Sequence, residues 1–423
     1  MIPINFRIFW KNQRIRRFFI PLAWIIAFGF ITIIIPKLIP KKELKNLTAN
    51  WFAKIFGNPV TTITSATSLS LLLTPKIHID LVQFKTQEKS FIQAKDVYIP
   101  ISLSELLFGN TFESFTAKKA TINPDIFLRT LNRIKTDNTE LLSFKIDQLV
   151  LNAANKSYNI GLSLDVKPLT MGIGQVRISN GKDILILKVS HAGKTLLLNL
   201  KASKWQLSKS IVLTDIFANG RLIGGQLELD RITATSQNGY IRGALRISSN
   251  PWNISGSLTL NKFPVDNWLK WIEIPILTGT ANGTLYISGT ADDWTNIAPK
   301  ASIFGQLTIH SGTFSCMDLI TPVQNLNVKH TVGGQTNFNH LRMGVERNSN
   351  GEWIFNVAEM NGKDWNGKGA IRISDSILLD GIVDMNFDRG NLNSTDKVHL
   401  LISGTVATGQ VNVSKRSLVP TSD

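Results

Sequence analysis

Residues that commonly carry chemistry are sparse in this chain of 423 residues, and their spacing does not match known sites. The six histidines include no H-x-x-x-H or H-E-x-x-H pair, and the single cysteine, Cys316, leaves no C-x-x-C pair. His310 precedes Cys316 by six residues, and only strand pairing would bring the two together. The sequence also lacks a G-x-S-x-G elbow and a Walker loop. We therefore expect no metal site and no cofactor.

Three further features resemble catalytic or phosphate-binding elements, but their context favours turns. Asp292 and Asp293 form a carboxylate pair between Gly289 and Trp294, which is typical of a solvated turn at a strand end. The glycine-rich segments Gly279–Gly283 and Gly333–Gly334 join predicted strands and do not open helices, so they are poor phosphate cradles. We find no catalytic constellation and expect a protein that is not an enzyme.

Near the N-terminus, the segment Phe18–Ile35 contains eighteen residues without a charge. A helix of this length spans about 27 Å, close to the ~30 Å hydrocarbon core of a bilayer. Five Lys or Arg precede the segment without an acidic residue, so we predict a cytoplasmic N-terminus and a single-pass anchor. The alternative is a cleaved signal peptide, whose apolar core is normally shorter and ends in an A-x-A-like site.

The net charge of +16 is concentrated around this segment. Residues 1–45 hold nine Lys or Arg and one Glu, which accounts for half of the excess. No basic run with interleaved aromatic residues follows, so nucleic acid is not an expected partner. Cations beside a membrane anchor are better explained by contact with acidic lipid headgroups.

Most helical patterns lie in the first third of the chain. Leu44, Leu47, Trp51 and Ile55 predict an amphipathic helix, which either lies near the membrane or packs on its own domain. Ser102–Phe108 is a candidate helical turn, and Asp125–Ile134 is a candidate helix. Much later in the chain, Pro264–Ile272 predicts a short helix that either covers a sheet edge or connects strands.

From about residue 140 the sequence predicts strands and turns. Two alternating segments, Ile184–Val189 and Thr195–Leu200, flank His191–Lys194 and predict a β-hairpin. A unit Gly-x-apolar-x-apolar then recurs eight times at irregular spacing. Its copies begin at Gly225, Gly243, Gly256, Gly283, Gly305, Gly369, Gly381 and Gly409.

Each copy has one apolar face and one polar face, which is typical of an antiparallel sheet. Such an apolar face must close on itself, pair with a second sheet or be filled by apolar material. The glycines suit a bulge, a bend or a tight turn at the entrance of a strand.

Several segments resemble the AsmA family of bacterial envelope proteins. They follow a predicted uncleaved N-terminal helix and a membrane-proximal helix, and they comprise Leu71–Leu81, Ile101–Gly109, Leu277–Gly289, Phe304–Phe314 and Asp318–Ile320. The resemblance covers most of the chain. It implies a mainly β protein in which a long antiparallel sheet curls into an apolar-lined trough, related to bridge-like lipid-transfer proteins.

This resemblance implies a function in outer-membrane biogenesis, with the protein anchored in the bacterial inner membrane and its bulk in the periplasm. Phospholipid acyl chains would lie on the sheet, and an envelope protein is a further possible partner. The expected lining residues are Leu245, Ile247, Leu258, Leu260, Leu285, Ile287, Leu307 and Ile309. The alternative is an assembly factor for outer-membrane proteins, in which the sheet closes without lipid and acts as a scaffold.

We accordingly divide the chain into six segments. They are a cytoplasmic tail (1–17), the transmembrane anchor (18–35), a membrane-proximal α+β segment (36–140), a repetitive β region (141–300), an AsmA-like C-terminal β region (301–414) and a tail (415–423).

Overall fold

A computed structural model describes most of the chain from residue 40 onward. The described residues are 40–56, 60–71, 75–86, 89–102, 112–124, 143–153, 156–168, 173–193, 195–249, 251–325, 327–388 and 394–420. Two compact units are present: Met1–Asn152 with Ser157–Pro168, the N-terminal unit, and Ala153–Lys156 with Leu169–Asp423, the C-terminal unit.

Several predicted segments lie outside the described residues. These are the anchor Phe18–Ile35, the whole predicted helix Asp125–Ile134, and the predicted helical turn Ser102–Phe108 apart from Ser102 itself. Within the part of the chain that is described, no helix is both long and apolar enough to span a bilayer.

Within its described residues, the N-terminal unit contains one helix and a mixed sheet. Its elements are α1 (Lys41–Phe56), β1 (Val60–Thr64), β2 (Thr67–Ser70), β3 (Lys76–Thr86), β4 (Lys89–Pro100), β5 (Ser114–Ile122), β6 (Ser143–Ala153) and β7 (Lys156–Pro168). Strand β3 pairs antiparallel with β1, β2 and β4, and β4 pairs antiparallel with β5. Strands β5 and β6 are parallel.

Helix α1 packs on the core of its own unit. Leu44, Trp51 and Phe52 are at most 5% exposed. The ring centroid of Phe52 lies 5.4 Å from that of Phe84 and 5.5 Å from that of Phe115, both in edge-to-face geometry. The sequence left two alternatives for this helix, a position near the membrane and packing on its own domain. The structure shows packing on its own domain.

The described part of the C-terminal unit is an antiparallel meander with three short helices. Its elements are β8 (Ile173–Ser179), β9 (Ile184–Ala192), β10 (Thr195–Gln206), β11 (Val212–Ile223), β12 (Gln226–Ser236), β13 (Gly239–Ser248), β14 (Trp252–Pro264), α2 (Asp266–Trp271), β15 (Leu277–Ala291), α3 (Trp294–Ile297), β16 (Ser302–Phe314), α4 (Thr321–Gln324), β17 (His330–Val332), β18 (Thr336–Arg347), β19 (Trp353–Asn361), β20 (Trp365–Ile373), β21 (Leu379–Asp388), β22 (Ser394–Gly404) and β23 (Gly409–Pro420).

Each strand of this unit pairs with the next along the chain, with one exception. Strand β16 pairs directly with β18, whereas β17 pairs with β23. In the described part of the unit, no pairing joins β8 to β17, so the run of strands is not closed by hydrogen bonds. The prediction of a mainly β, largely antiparallel chain is confirmed, as is the hairpin, since Thr195 pairs with Ala192.

The aromatic contacts of α1 generate a stability prediction. We expect Phe52→Ala to lower the free energy of unfolding by about 3–5 kcal/mol, because a fully buried ring would leave a cavity between α1 and the sheet. Urea denaturation followed by circular dichroism measures this change.

The matched control for Phe52→Ala is Asn50→Ala, which changes an exposed position of the same helix. Its effect on the free energy of unfolding is expected to stay within about 0.5 kcal/mol. Equal, small effects of the two substitutions would contradict the packing of α1 against the N-terminal sheet.

Candidate functional site

The eight residues predicted to line an apolar surface lie on one face of four neighbouring strands, β13 to β16. Leu258 pairs with Leu285, and Leu285 is followed two residues later by Ile287, on the same face. Ile287 pairs in turn with Ile303 of β16, and Leu307 lies four residues further along that strand. The structure therefore brings the predicted residues together, and we call this side of the C-terminal sheet the apolar face.

Glycines alternate with the large side chains across this face. Gly243 pairs with Leu258, and Gly283 pairs with Leu307. A Cβ atom on Gly243 would lie 2.7 Å from Leu258 Cδ2, and one on Gly283 would lie 2.9 Å from Leu307 Cδ2. Both glycines lie inside strands, whereas the sequence pattern predicted glycines at strand entrances. Inside the strand, each glycine leaves room for the leucine of the neighbouring strand.

The apolar face is half-exposed on one part of the sheet and dry on the other. Among the predicted residues, Leu260 and Leu307 are 8% exposed and Ile309 is 0% exposed. These three belong to a core cluster that continues through β18 to β23. The other five are only partly buried: Leu245, Ile247, Leu258, Leu285 and Ile287.

The segment between β16 and β17 contributes to the dry part. Cys316, Met317 and Leu319 are at most 3% exposed and belong to the same core cluster. The backbone N–H of Gly409 donates to the carbonyl of Cys316 at 2.8 Å, which ties this segment to the start of β23. The chain itself therefore covers the apolar face in the C-terminal strands.

Asp318 lies in this covering segment, three residues before the first residue of α4. Its Oδ1 accepts hydrogen bonds from the backbone N–H groups of Ile320 and Thr321, both at 3.0 Å. Asp318 was part of the sequence resemblance, and its carboxylate has a local structural role at this turn.

The half-exposed part extends beyond the predicted residues into β9 to β12. The register aligns Val189, Leu198, Gly220, Leu229 and Leu245 in one row across five strands. A second row contains Leu187, Leu200, Ala218, Ile232 and Gly243. Apart from Ala218, the side chains of both rows are partly exposed. Sequence reasoning identified the hairpin but did not assign its aliphatic residues to this face, although their alternation was the available signal.

Helix α2 follows the half-exposed strand β14. Trp268 packs on Phe263, with ring centroids 5.4 Å apart, and also contacts the core cluster. Trp271 and Ile272 are 52% and 39% exposed. The predicted helix is present, and it combines an inward tryptophan with an exposed apolar end.

Polar residues of the types that can carry catalysis make local structural contacts in this chain. Asp293 caps α3, because its Oδ1 accepts a hydrogen bond from Thr295 N at 2.8 Å. His399 pairs with Asp384 across neighbouring strands. Burial raises the pKa of the Cys316 thiol to about 11, so the reactive thiolate is strongly disfavoured. No group of three His, Cys, Asp or Glu in the described ranges is arranged to hold a metal ion.

Comparison of the chain with protein-family models, curated protein sequences and solved structures gives no match.

The glycine–leucine contacts generate a prediction with an internal control. We expect Gly243→Ala to lower the free energy of unfolding by about 1–3 kcal/mol, because the new Cβ would lie 2.2 Å from the Ser257 carbonyl oxygen. Chemical denaturation measures the change.

The matched control for Gly243→Ala is Gly344→Ala on the opposite face, where the nearest atom, Asn356 Cβ, is 3.7 Å away. This substitution is expected to be tolerated. A larger loss of stability for Gly344→Ala than for Gly243→Ala would overturn the packing role of the in-strand glycines.

The buried thiol provides a test of the dry core. At pH 8 we expect the native chain to resist alkylation, because a pKa of about 11 instead of 9.0 leaves roughly a hundredfold less thiolate. Mass spectrometry after iodoacetamide treatment measures the modified fraction.

The denatured chain is the control for alkylation and should take up a single label, since Cys316 is the only cysteine. Native and denatured chains that react equally fast would show that the segment containing Cys316 is not held in the core.

Proposed function

We propose that this protein holds or transfers phospholipid acyl chains on the half-exposed part of its apolar face. It would do so as an AsmA-type protein of the bacterial inner membrane that supports outer-membrane biogenesis. Phe18–Ile35 would anchor it, with the N-terminus in the cytoplasm and the bulk in the periplasm. The proposal includes the curled, trough-like sheet that the sequence resemblance implies, and it involves no catalysis.

The single observation that carries this proposal is the continuity of the half-exposed aliphatic rows from β9 to β15. Leu198, Leu229 and Leu245 follow one another in a single row without an intervening charged side chain. Aliphatic side chains of this kind offer acyl chains an environment similar to hydrocarbon. Each CH₂ group kept from water there contributes about 0.8 kcal/mol.

The two parts of the apolar face would have different roles. Leu245 and Leu258 in the half-exposed part would contact lipid. Ile309 and Leu341 in the dry part are 0% exposed and would stabilise the fold. The transport step would be passive, since acyl chains would move along the apolar face while headgroups stay in water.

An assembly factor without bound lipid is the second candidate function. The dry packing of β18 to β23 favours it, because residues of the chain itself bury the apolar face in this part of the sheet. Strand β17 carries Val332, which is 56% exposed, beside the pairing with β23. In this alternative the protein would act as a scaffold that recruits an envelope protein.

Lipid analysis of the purified full-length chain separates the two functions. We expect phospholipid to copurify with the wild-type protein and the amount per chain to fall in Leu245→Glu and Leu258→Glu, because a carboxylate on the apolar face repels acyl chains. Quantitative mass spectrometry of the extracted lipids measures the ratio.

The matched control for these lipid measurements is Leu197→Glu. Leu197 is 45% exposed and lies on the opposite face, where it pairs with Arg221. Lipid bound around the anchor should be equal in all variants, so the difference reports on the apolar face. Equal lipid content in wild type and in folded Leu245→Glu and Leu258→Glu would reject lipid binding and favour the assembly factor.

A further inference from the structure

The polar side of the C-terminal sheet carries an open cavity of about 730 Å³ across β15, β16, β18 and β19. This volume is within the range of small-molecule sites. The cavity lies on the side opposite the apolar face, since Thr284 and Tyr286 alternate with Leu285 and Ile287 along β15.

Gly344 forms the floor of this cavity. It pairs with Gln306 on one side and with Asn356 on the other, so two amide side chains flank a position without a side chain. A Cβ atom placed on Gly344 would make only ordinary van der Waals contacts, the nearest with Asn356 Cβ at 3.7 Å, so a small side chain fits there without a clash.

An aromatic pair forms one side of the cavity. The rings of Tyr286 and Phe304 are stacked, with centroids 5.0 Å apart and an interplanar angle of 18°. Tyr286 is 46% exposed and Phe304 is 53% exposed. Although cross-strand stacking stabilises a sheet, rings this exposed also present a broad apolar surface beside polar groups.

The polar groups of the cavity have unused hydrogen-bonding capacity. In the described part of the chain, the side chains of Gln306, Glu346 and Asn356 have no hydrogen-bond partner, whereas Arg342 is paired with Glu359 at 3.3 Å. Amides donate and accept, and a carboxylate accepts, so the three free groups suit neighbouring hydroxyls. With Arg342 paired and Glu346 negative, the cavity has no excess positive charge to attract a phosphate.

We propose that this cavity binds a neutral carbohydrate, as a free glycan or as the headgroup of a glycolipid. The C–H face of a sugar ring would pack on Phe304 and Tyr286, and its hydroxyls would bond Gln306, Glu346 and Asn356. The proposal is independent of lipid binding on the apolar face, because the two surfaces use opposite sides of the same strands.

Saturation-transfer NMR with the full-length chain, in a detergent without a sugar headgroup, tests the proposal. The probes are maltohexaose, cellohexaose and N-acetylchitohexaose for a free glycan, and micelles of the same detergent containing lactosylceramide or ceramide, assayed by retention on the immobilised chain, for a glycolipid. We expect saturable binding of at least one probe. Phe304→Ala should weaken it roughly tenfold, a loss typical of one aromatic stacking contact, and Gly344→Val should weaken it similarly by filling the floor.

The matched control in the carbohydrate assay is Ile382→Ala. Ile382 is 56% exposed and pairs with the exposed Leu401, in an apolar cross-strand pair outside the cavity. It should leave binding unchanged. Retention of lactosylceramide alone among the probes, with the same sensitivity to Phe304→Ala, would identify the glycolipid as the source. Absence of binding to every probe, or binding that folded Phe304→Ala and Gly344→Val both retain, would overturn the proposal.

Discussion

The close contact between an in-strand glycine and the leucine of the neighbouring strand constrains the pairing register of the C-terminal sheet. Leu258 lies over Gly243, and Leu307 lies over Gly283, at positions where a Cβ atom would meet the leucine methyl group. These contacts favour one pairing register. A slip by one residue would move every aliphatic side chain of a strand to the other face. The separation of an apolar face from a polar face therefore depends on these glycines.

The same register gives different environments to chemically similar residues. Leu245 and Leu341 both point to the apolar face, but Leu245 is partly exposed and Leu341 is 0% exposed. The difference arises because the segment after β16, with Met317 and Leu319, joins the core of the later strands. Among the described residues, no segment that connects strands β9 to β13 belongs to this core. The same Gly-x-apolar-x-apolar unit therefore lies in a buried core in one part of the sheet and forms a partly exposed apolar surface in the other.

Alternation in the sequence was sufficient to predict strands, the hairpin at residues 184–200 and a shared apolar face for eight residues. Local patterns did not predict the features that depend on distant contacts. Trp51 and Phe52 of α1 pack on Phe115, which lies more than sixty residues later in the chain. The pairing of β17 with β23 spans about eighty residues. The position of Gly344 between Gln306 and Asn356 likewise depends on the pairing of three strands, which no single segment of sequence encodes.

The two proposed surfaces share strands β15 and β16 but differ in the chemistry that they require. The apolar face presents partly exposed aliphatic side chains such as Leu285. The polar side offers hydrogen bonds from Gln306 and Glu346 beside the ring of Phe304. Because successive residues of a strand point to opposite faces, a side chain on one face can change without altering the other, provided that the register is kept. One sheet can thus contact the apolar and the hydroxylated parts of amphiphilic molecules, and the fixed register is what allows both.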